Sequence, residues 1–212
     1  MTDDAFLADL TQARVIAIVR GADAAAAEAA GAVLLEAGFR FVEIALTTPD
    51  ALGVIERLRP QAQPGVRLGA GTVVTRPDVA DVVAAGGQFI VTPAVTDSVE
   101  AAASRSLPSV VGALSPTEIL SARARGATVV KLFPASVGGP RYVRAIRDPF
   151  PDIPLLAVGG VDLVAAKEYL RAGAVGVGVG GPLVGDAASG GDLKALRGRA
   201  HAFVALSDPG GA

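Results

Sequence analysis

Short, nearly continuous apolar runs alternate along this chain with longer stretches in which apolar residues recur at helical spacing. Eight such runs are predicted strands: residues 14–20, 41–46, 67–73, 89–94, 109–114, 129–135, 155–161 and 174–181. Each is rich in Val, Ile, Leu or Phe and has the length of a parallel strand buried on both faces. Between them the spacing predicts helices over 24–37, 49–58, 76–85, 98–106, 116–125, 140–146 and 163–172. A helix over 192–206 closes the series, and one over 4–12 precedes the first strand.

The punctuation agrees with this division. Gly38, Gly86, Gly126 and Gly173 each follow a predicted helix, where a left-handed C-cap is wanted, and a strand begins a few residues later. Thr48-Pro49-Asp50, Arg76-Pro77-Asp78 and Ser115-Pro116-Thr117-Glu118 carry helix-start residues. Eight strand–helix units without a long linker predict a single (β/α)8 TIM barrel with a short N-terminal helix. The domain would span 1–212, with the barrel proper over about 14–206. An open doubly wound sheet is the alternative, but it usually stops at five to seven strands.

Composition narrows the chemistry. The 212 residues are 51% hydrophobic, with a mean hydropathy of +0.48. No stretch reaches the roughly 20 uncharged apolar residues of a membrane span. The stretch after Gly21 is broken by Asp23, Glu28 and Glu36, and the acidic start Met1-Thr2-Asp3-Asp4 is unlike a secretory signal. A cytoplasmic protein without a membrane partner is expected. Cysteine is absent and His201 is the only histidine, so thiolate chemistry and Cys- or His-rich metal sites are excluded. His201 falls in the last helical stretch and reads as a helix-surface residue. A net charge of −2 and the lack of tryptophan argue against a nucleic-acid partner. No metal and no cofactor are expected.

The chemistry must then come from the remaining polar side chains and the backbone. Of three lysines, Lys167 and Lys194 lie in polar helical stretches, whereas Lys131 interrupts the apolar run Val129-Val130-Lys131-Leu132-Phe133-Pro134. Burial lowers an ammonium pKa, and a neutral amine in a dry pocket can attack a carbonyl to form an imine. Glu43 is the only acid within Phe41-Val42-Glu43-Ile44-Ala45-Leu46. Opposite charges in separate apolar strands are expensive to bury unless they meet, so the two form either an inert ion pair or a nucleophile with its proton shuttle. Arg20 ends the first strand and offers a fork suited to a carboxylate or phosphate. Glycines end the seventh strand at Gly159-Gly160 and the eighth at Gly178-Val179-Gly180-Gly181. Loops after strands seven and eight of a barrel often bind phosphate through backbone N–H groups. Gly69-Ala70-Gly71-Thr72-Val73 lacks the third glycine and the distal acid of a dinucleotide loop.

Taken together, Ile18-Val19-Arg20, Val42-Glu43-Ile44, Gly69 to Val73, Ile90-Val91-Thr92-Pro93, Pro116-Thr117-Glu118, Lys131-Leu132-Phe133-Pro134-Ala135 and Val158-Gly159-Gly160-Val161 resemble a known family. It is that of the 2-keto-3-deoxy-6-phosphogluconate, 2-keto-3-deoxy-6-phosphogalactonate and 4-hydroxy-2-oxoglutarate aldolases. The resemblance runs from about Val15 to Val184. It implies a metal-free class I aldolase, a lyase of carbohydrate metabolism of the Entner-Doudoroff type, that splits a phosphorylated sugar acid into pyruvate and glyceraldehyde 3-phosphate. Lys131 would form the Schiff base and Glu43 would move protons. Arg20 and Thr72 would contact the substrate carboxylate end, and Pro93 and Phe133 would wall the pyruvate pocket. Gly159, Gly160 and Gly180 would hold phosphate, with Gly181 standing where a serine is common. A homotrimer is implied by the same resemblance. Thr47 stands where the gluconate branch tends to have arginine, and Gly138-Gly139-Pro140-Arg141-Tyr142 and Val161 look closer to the galactonate branch. Val111 replaces a proline usual before Gly112. Two other functions fit the residues: a phosphate-binding isomerase or epimerase, and a non-catalytic sugar-phosphate-binding barrel.

Overall fold

The computed structural model describes residues 2–207. Eight parallel strands close into a barrel in sequence order. They are β1 Val15–Val19, β2 Phe41–Ala45, β3 Arg67–Gly71, β4 Ile90–Val91, β5 Ser109–Ala113, β6 Val129–Leu132, β7 Leu155–Val158 and β8 Gly176–Val179. The helices are α1 Asp3–Ala13, α2 Ala24–Glu36, α3 Ala51–Leu58, α4 Arg76–Ala84, α5 Asp97–Ala103, α6 Pro116–Ala124, α7 Gly139–Arg147, α8 Leu163–Arg171, α9 Gly181–Val184 and α10 Leu193–Val204. The barrel and the N-terminal helix expected from the sequence are therefore present.

Local chemistry sets most helix ends. Thr75 and Ser115 make reciprocal capping boxes with Asp78 and Glu118 at the starts of α4 and α6. Gly38, Gly86, Gly126 and Gly173 all take positive φ, as the C-cap pattern predicts. Three expectations need correction. Helix α3 starts at Ala51 rather than Pro49, because Asp50 is left-handed and caps nothing with its side chain. The predicted strands overrun at their C-terminal ends, most of all β4, β6 and β7, because their apolar composition continues into the loops beyond the ladder. Gly181, assigned to the last strand, instead begins α9.

Side chains of each strand alternate between two cores. Val15, Ala17, Val42, Ile44, Val130 and Ala157 point outward against the helices. Ile16, Phe41, Val110, Val129 and Leu156 point into the barrel, joined by Phe89 and by Phe6 and Leu10 of α1. Helix α1 thus plugs the N-terminal mouth. Phe6 meets Phe41 edge-to-face with ring centroids 5.3 Å apart, and Phe89 at 5.6 Å. Asp9 ties the plug to Arg40 and Arg67, and Asp3 accepts a hydrogen bond from Thr128.

One layer higher the interior changes character. Glu43 and Lys131 occupy the next inward positions of β2 and β6, while β3, β5 and β8 contribute glycines. Register sets Glu43 beside Gly69, and Lys131 between Gly112 and Leu156. A Cβ at Gly71 would overlap the Glu43 carboxylate. Glycine therefore clears the space in which the acid and the amine stand.

The plug should carry a measurable share of stability. Phe6 is fully buried, so Phe6→Ala should lower the unfolding free energy by about 3–5 kcal/mol. Urea midpoints check this. An unshifted midpoint would mean that α1 does not seal the barrel.

Candidate active site

A cavity of about 320 Å³ opens at the C-terminal end of the barrel, the end at which barrel enzymes place their chemistry. Its lining includes Arg20, Glu43, Thr72, Pro93, Lys131, Phe133, Gly159, Gly160, Gly180 and Gly181. These are all ten residues singled out from the sequence. They reach it from different segments: Arg20 just beyond β1, Glu43 within β2, Thr72 beyond β3, Pro93 beyond β4 and Lys131 within β6. Phe133 follows β6, and the glycine pairs follow β7 and β8. Lys167 and Lys194 lie on α8 and α10 and do not line the cavity, and His201 is an exposed residue of α10.

Glu43 is 3% exposed and Lys131 7%. The two are not joined by a salt bridge. Desolvation is the main force on each. It pushes the Glu43 carboxyl up to about 7, against the attraction of Lys131 and Arg20. It pushes the Lys131 amine down, against the attraction of Glu43, and the Arg20 charge adds to that depression. The amine thus favours its neutral form more than a solvated lysine does. The carboxyl is poised to give or accept a proton near neutrality. Lys131 Nζ sits 4.6 Å from the centroid of the Phe133 ring, which covers it.

Arg20 Nη2 donates to Thr72 Oγ1 at 3.2 Å. Thr72 has φ of 61°, a conformation that a β-branched residue rarely adopts. It is held there by neighbours: the Val73 N–H donates to the Val91 carbonyl, and the Val73 carbonyl accepts from the buried Ser98 hydroxyl. Strain of this kind concentrates at ligand-binding positions, where the surroundings over-determine it. Gly159 and Gly160 both have positive φ, so the chain can turn there without a side chain entering the cavity. A Cβ at Gly181 would meet nothing within 4 Å.

The sequence did not single out Ile18, Val158, Val161, Gly178, Pro182, Val184 and Gly185 as contacts, although they complete the lining. Their apolar character marks them only as core; strand register turns Ile18, Val158 and Gly178 inward, and the loop after β7 and the short α9 bring in the others. Thr47 does not line the cavity, whereas Val161 does.

The KDPG and KHG aldolase model matches residues 7–197. This chain belongs to the KDPG and KHG aldolase family. It is 39% identical over 196 residues to a probable 2-dehydro-3-deoxy-6-phosphogalactonate aldolase of Rhizobium meliloti, covering 92% of this chain and 91% of that one. It is 34% identical over 176 residues to the 2-dehydro-3-deoxy-6-phosphogalactonate aldolase of Escherichia coli, covering 82% and 85%. Among solved structures, the KDPG aldolase of Legionella pneumophila, with pyruvate captured as a covalent carbinolamine intermediate, matches with a TM-score of 0.78 at 28% identity, over 95% of both chains. Membership makes the chain an aldolase, a lyase. Among the described residues, no helix of this aldolase is long and apolar enough to cross a membrane.

The desolvated carboxyl has a consequence for stability. Its folded pKa lies above its ordinary value of 4.5, so between there and about 7 the folded protein keeps a proton that the unfolded chain releases. Its contribution to stability is fullest below that window and is lost as the pH rises through it. Glu43→Gln cannot titrate. It should gain stability over the parent by about 3 kcal/mol across the window and no more above it. Urea unfolding at acid, intermediate and alkaline pH reads this; a constant difference would mean the carboxyl is not desolvated.

Proposed function

We propose that Lys131 is the Schiff-base nucleophile and Glu43 the proton carrier of a class I aldolase. The substrate is a 2-keto-3-deoxy-6-phospho sugar acid, cleaved to pyruvate and glyceraldehyde 3-phosphate. The observation that carries this is the buried amine, depressed in pKa and facing the same cavity as a carboxyl that titrates near 7. The neutral amine attacks the 2-oxo carbon, and a proton supplied through Glu43 turns the former carbonyl oxygen into a hydroxyl. Loss of water leaves a cationic imine, which draws electrons from the adjacent carbon–carbon bond. Glu43 then takes the proton from the substrate hydroxyl as that bond breaks and the aldehyde leaves. The remaining enamine accepts a proton, and hydrolysis frees pyruvate and the amine.

Arg20 and Thr72 hold the carboxylate end, Pro93 and Phe133 wall the three-carbon unit, and Gly159, Gly160, Gly180 and Gly181 face the phosphate. The relative at 39% identity over 92% of this chain, a probable galactonate aldolase, favours the galactonate isomer of the substrate. So does Val161 at the cavity surface. A cytoplasmic homotrimer, with one barrel domain per chain, belongs to the same reading and rests on the family resemblance.

Borohydride reduction in the presence of pyruvate tests the nucleophile. Peptide mapping should find the three-carbon adduct on Lys131 alone, and Lys131→Met should abolish it. Label on Lys167 or Lys194, or none in the folded parent, would sink the mechanism.

The phosphate end yields a separate expectation. A charge-assisted hydrogen bond typically contributes roughly 1.5–3 kcal/mol. Gly181→Ser adds a hydroxyl in open space, so it should raise the kcat/KM preference for phosphorylated over plain substrate about tenfold or more. An unchanged preference, measured with both substrates, would mean that this end of the cavity does not hold phosphate.

A further inference from the structure

Thr92 is fully buried and lies outside the cavity, yet its hydroxyl has two partners. It donates to the Ala94 carbonyl at 2.6 Å and accepts from the Gly112 N–H at 3.2 Å. The pairing of β4 with β5 stops at Val91 and Val110, and the Thr92 N–H makes the last bond, to the Val110 carbonyl. Beyond it the main chain turns into Pro93, which has no N–H to extend the ladder. The Thr92 hydroxyl continues the connection by side chain, linking the turn that carries Pro93 to the strand beside Lys131. Gly112 pairs in register with Lys131, and a Cβ there would overlap the Pro93 carbonyl. The turn is therefore seated directly against β5.

What lies behind this turn makes the link matter. Pro93 and Phe133 line the main cavity on one side and a second recess of about 230 Å³ on the other. Ala94, Val95, Gly112, Ala113, Leu114 and Glu118 form the rest of that recess. A wall with packed core behind it stays in place by exclusion. A wall between two open spaces stays where its hydrogen bonds hold it.

We propose that Thr92 is a positioning residue whose hydroxyl holds the Pro93 wall against the cavity and so limits the size of the 2-oxo acid that Lys131 accepts. The inference rests on the assignment of Lys131 as the Schiff-base nucleophile. It adds the element that sets the width of the pocket. Without the hydroxyl the turn can withdraw into the recess, the three-carbon acid fits less closely, and a longer one gains room.

Borohydride trapping on the intact protein tests this, comparing pyruvate with 2-oxobutanoate, its homologue with one more methylene. One methylene in a shaped apolar pocket is worth about tenfold or more in discrimination. The parent should prefer pyruvate by about that factor. Thr92→Val keeps the shape and removes the hydroxyl. It should raise the half-saturating pyruvate concentration and reduce the preference about fivefold or more, per folded molecule. Thr92→Ser keeps the hydroxyl and should stay within about twofold of the parent. A merely structural role would lower the urea midpoint of Thr92→Val and leave the preference of the folded fraction unchanged, which would overturn the proposal. Should Thr92→Val not fold, the preference is read on Pro93→Ala, which trims the wall directly; an unchanged preference there overturns the proposal as well. Failure of the parent to trap pyruvate at all would refute the assignment of Lys131 instead.

Discussion

The barrel holds an amine and a carboxyl in its interior, close enough to influence each other's charge and not joined as a salt bridge. Glu43 and Lys131 are both nearly inaccessible to solvent. A contact ion pair would have compensated part of their desolvation and kept both charged. Held apart across the cavity, each is shifted toward its neutral form, with Glu43 near 7. That arrangement gives a lysine able to attack a carbonyl and an acid able to exchange protons at the same pH. The glycines of β3 and β5, the Phe133 ring and the Arg20 charge all act on this pair.

Such a pair has to stand on something rigid. The lower half of the barrel is filled by Phe6, Phe41, Phe89 and their aliphatic neighbours, and α1 closes it from beneath. The upper half is emptied by Gly71, Gly112 and Gly178, each placed where a Cβ would strike a neighbour. Stability and chemistry are therefore stacked along the barrel axis. Bulk at one end allows vacancy at the other, and the loops beyond the strands can vary without disturbing the plug.

Around the vacancy, the backbone is set by specific bonds more than by packing. Thr72 holds a left-handed conformation between Arg20 and the pinned Val73. Pro93 is held through Thr92, and Gly159 and Gly160 turn the chain at the cavity without placing a side chain in it. These segments follow strands that end early, with β4 only two residues long. Where ladder bonds stop, side-chain hydroxyls take over the positioning.

Much of this was legible in the sequence, for identifiable reasons. Strands buried on both faces must be apolar throughout, so the eight runs stood out, and a lone Lys131 or Glu43 inside one could not be ordinary. Capping boxes and C-cap glycines are local chemistry, so most helix ends could be read directly. All ten candidate residues met in one cavity because each lay within or just after a strand, and a closed barrel converges those ends. Composition could not show where the strands stop, since apolar residues such as Val73, Leu114, Phe133 and Val161 continue beyond the ladders. It also left open whether Glu43 and Lys131 form an inert pair. That depends on register, which puts glycines beside both and room between them. Nor did it reveal the work of Thr92, whose partners Ala94 and Gly112 come together only when β4 meets β5. Periodicity and capping depend on neighbours along the chain, but separation across a barrel is set by how many residues each strand is shifted against the next, and no single strand contains that shift.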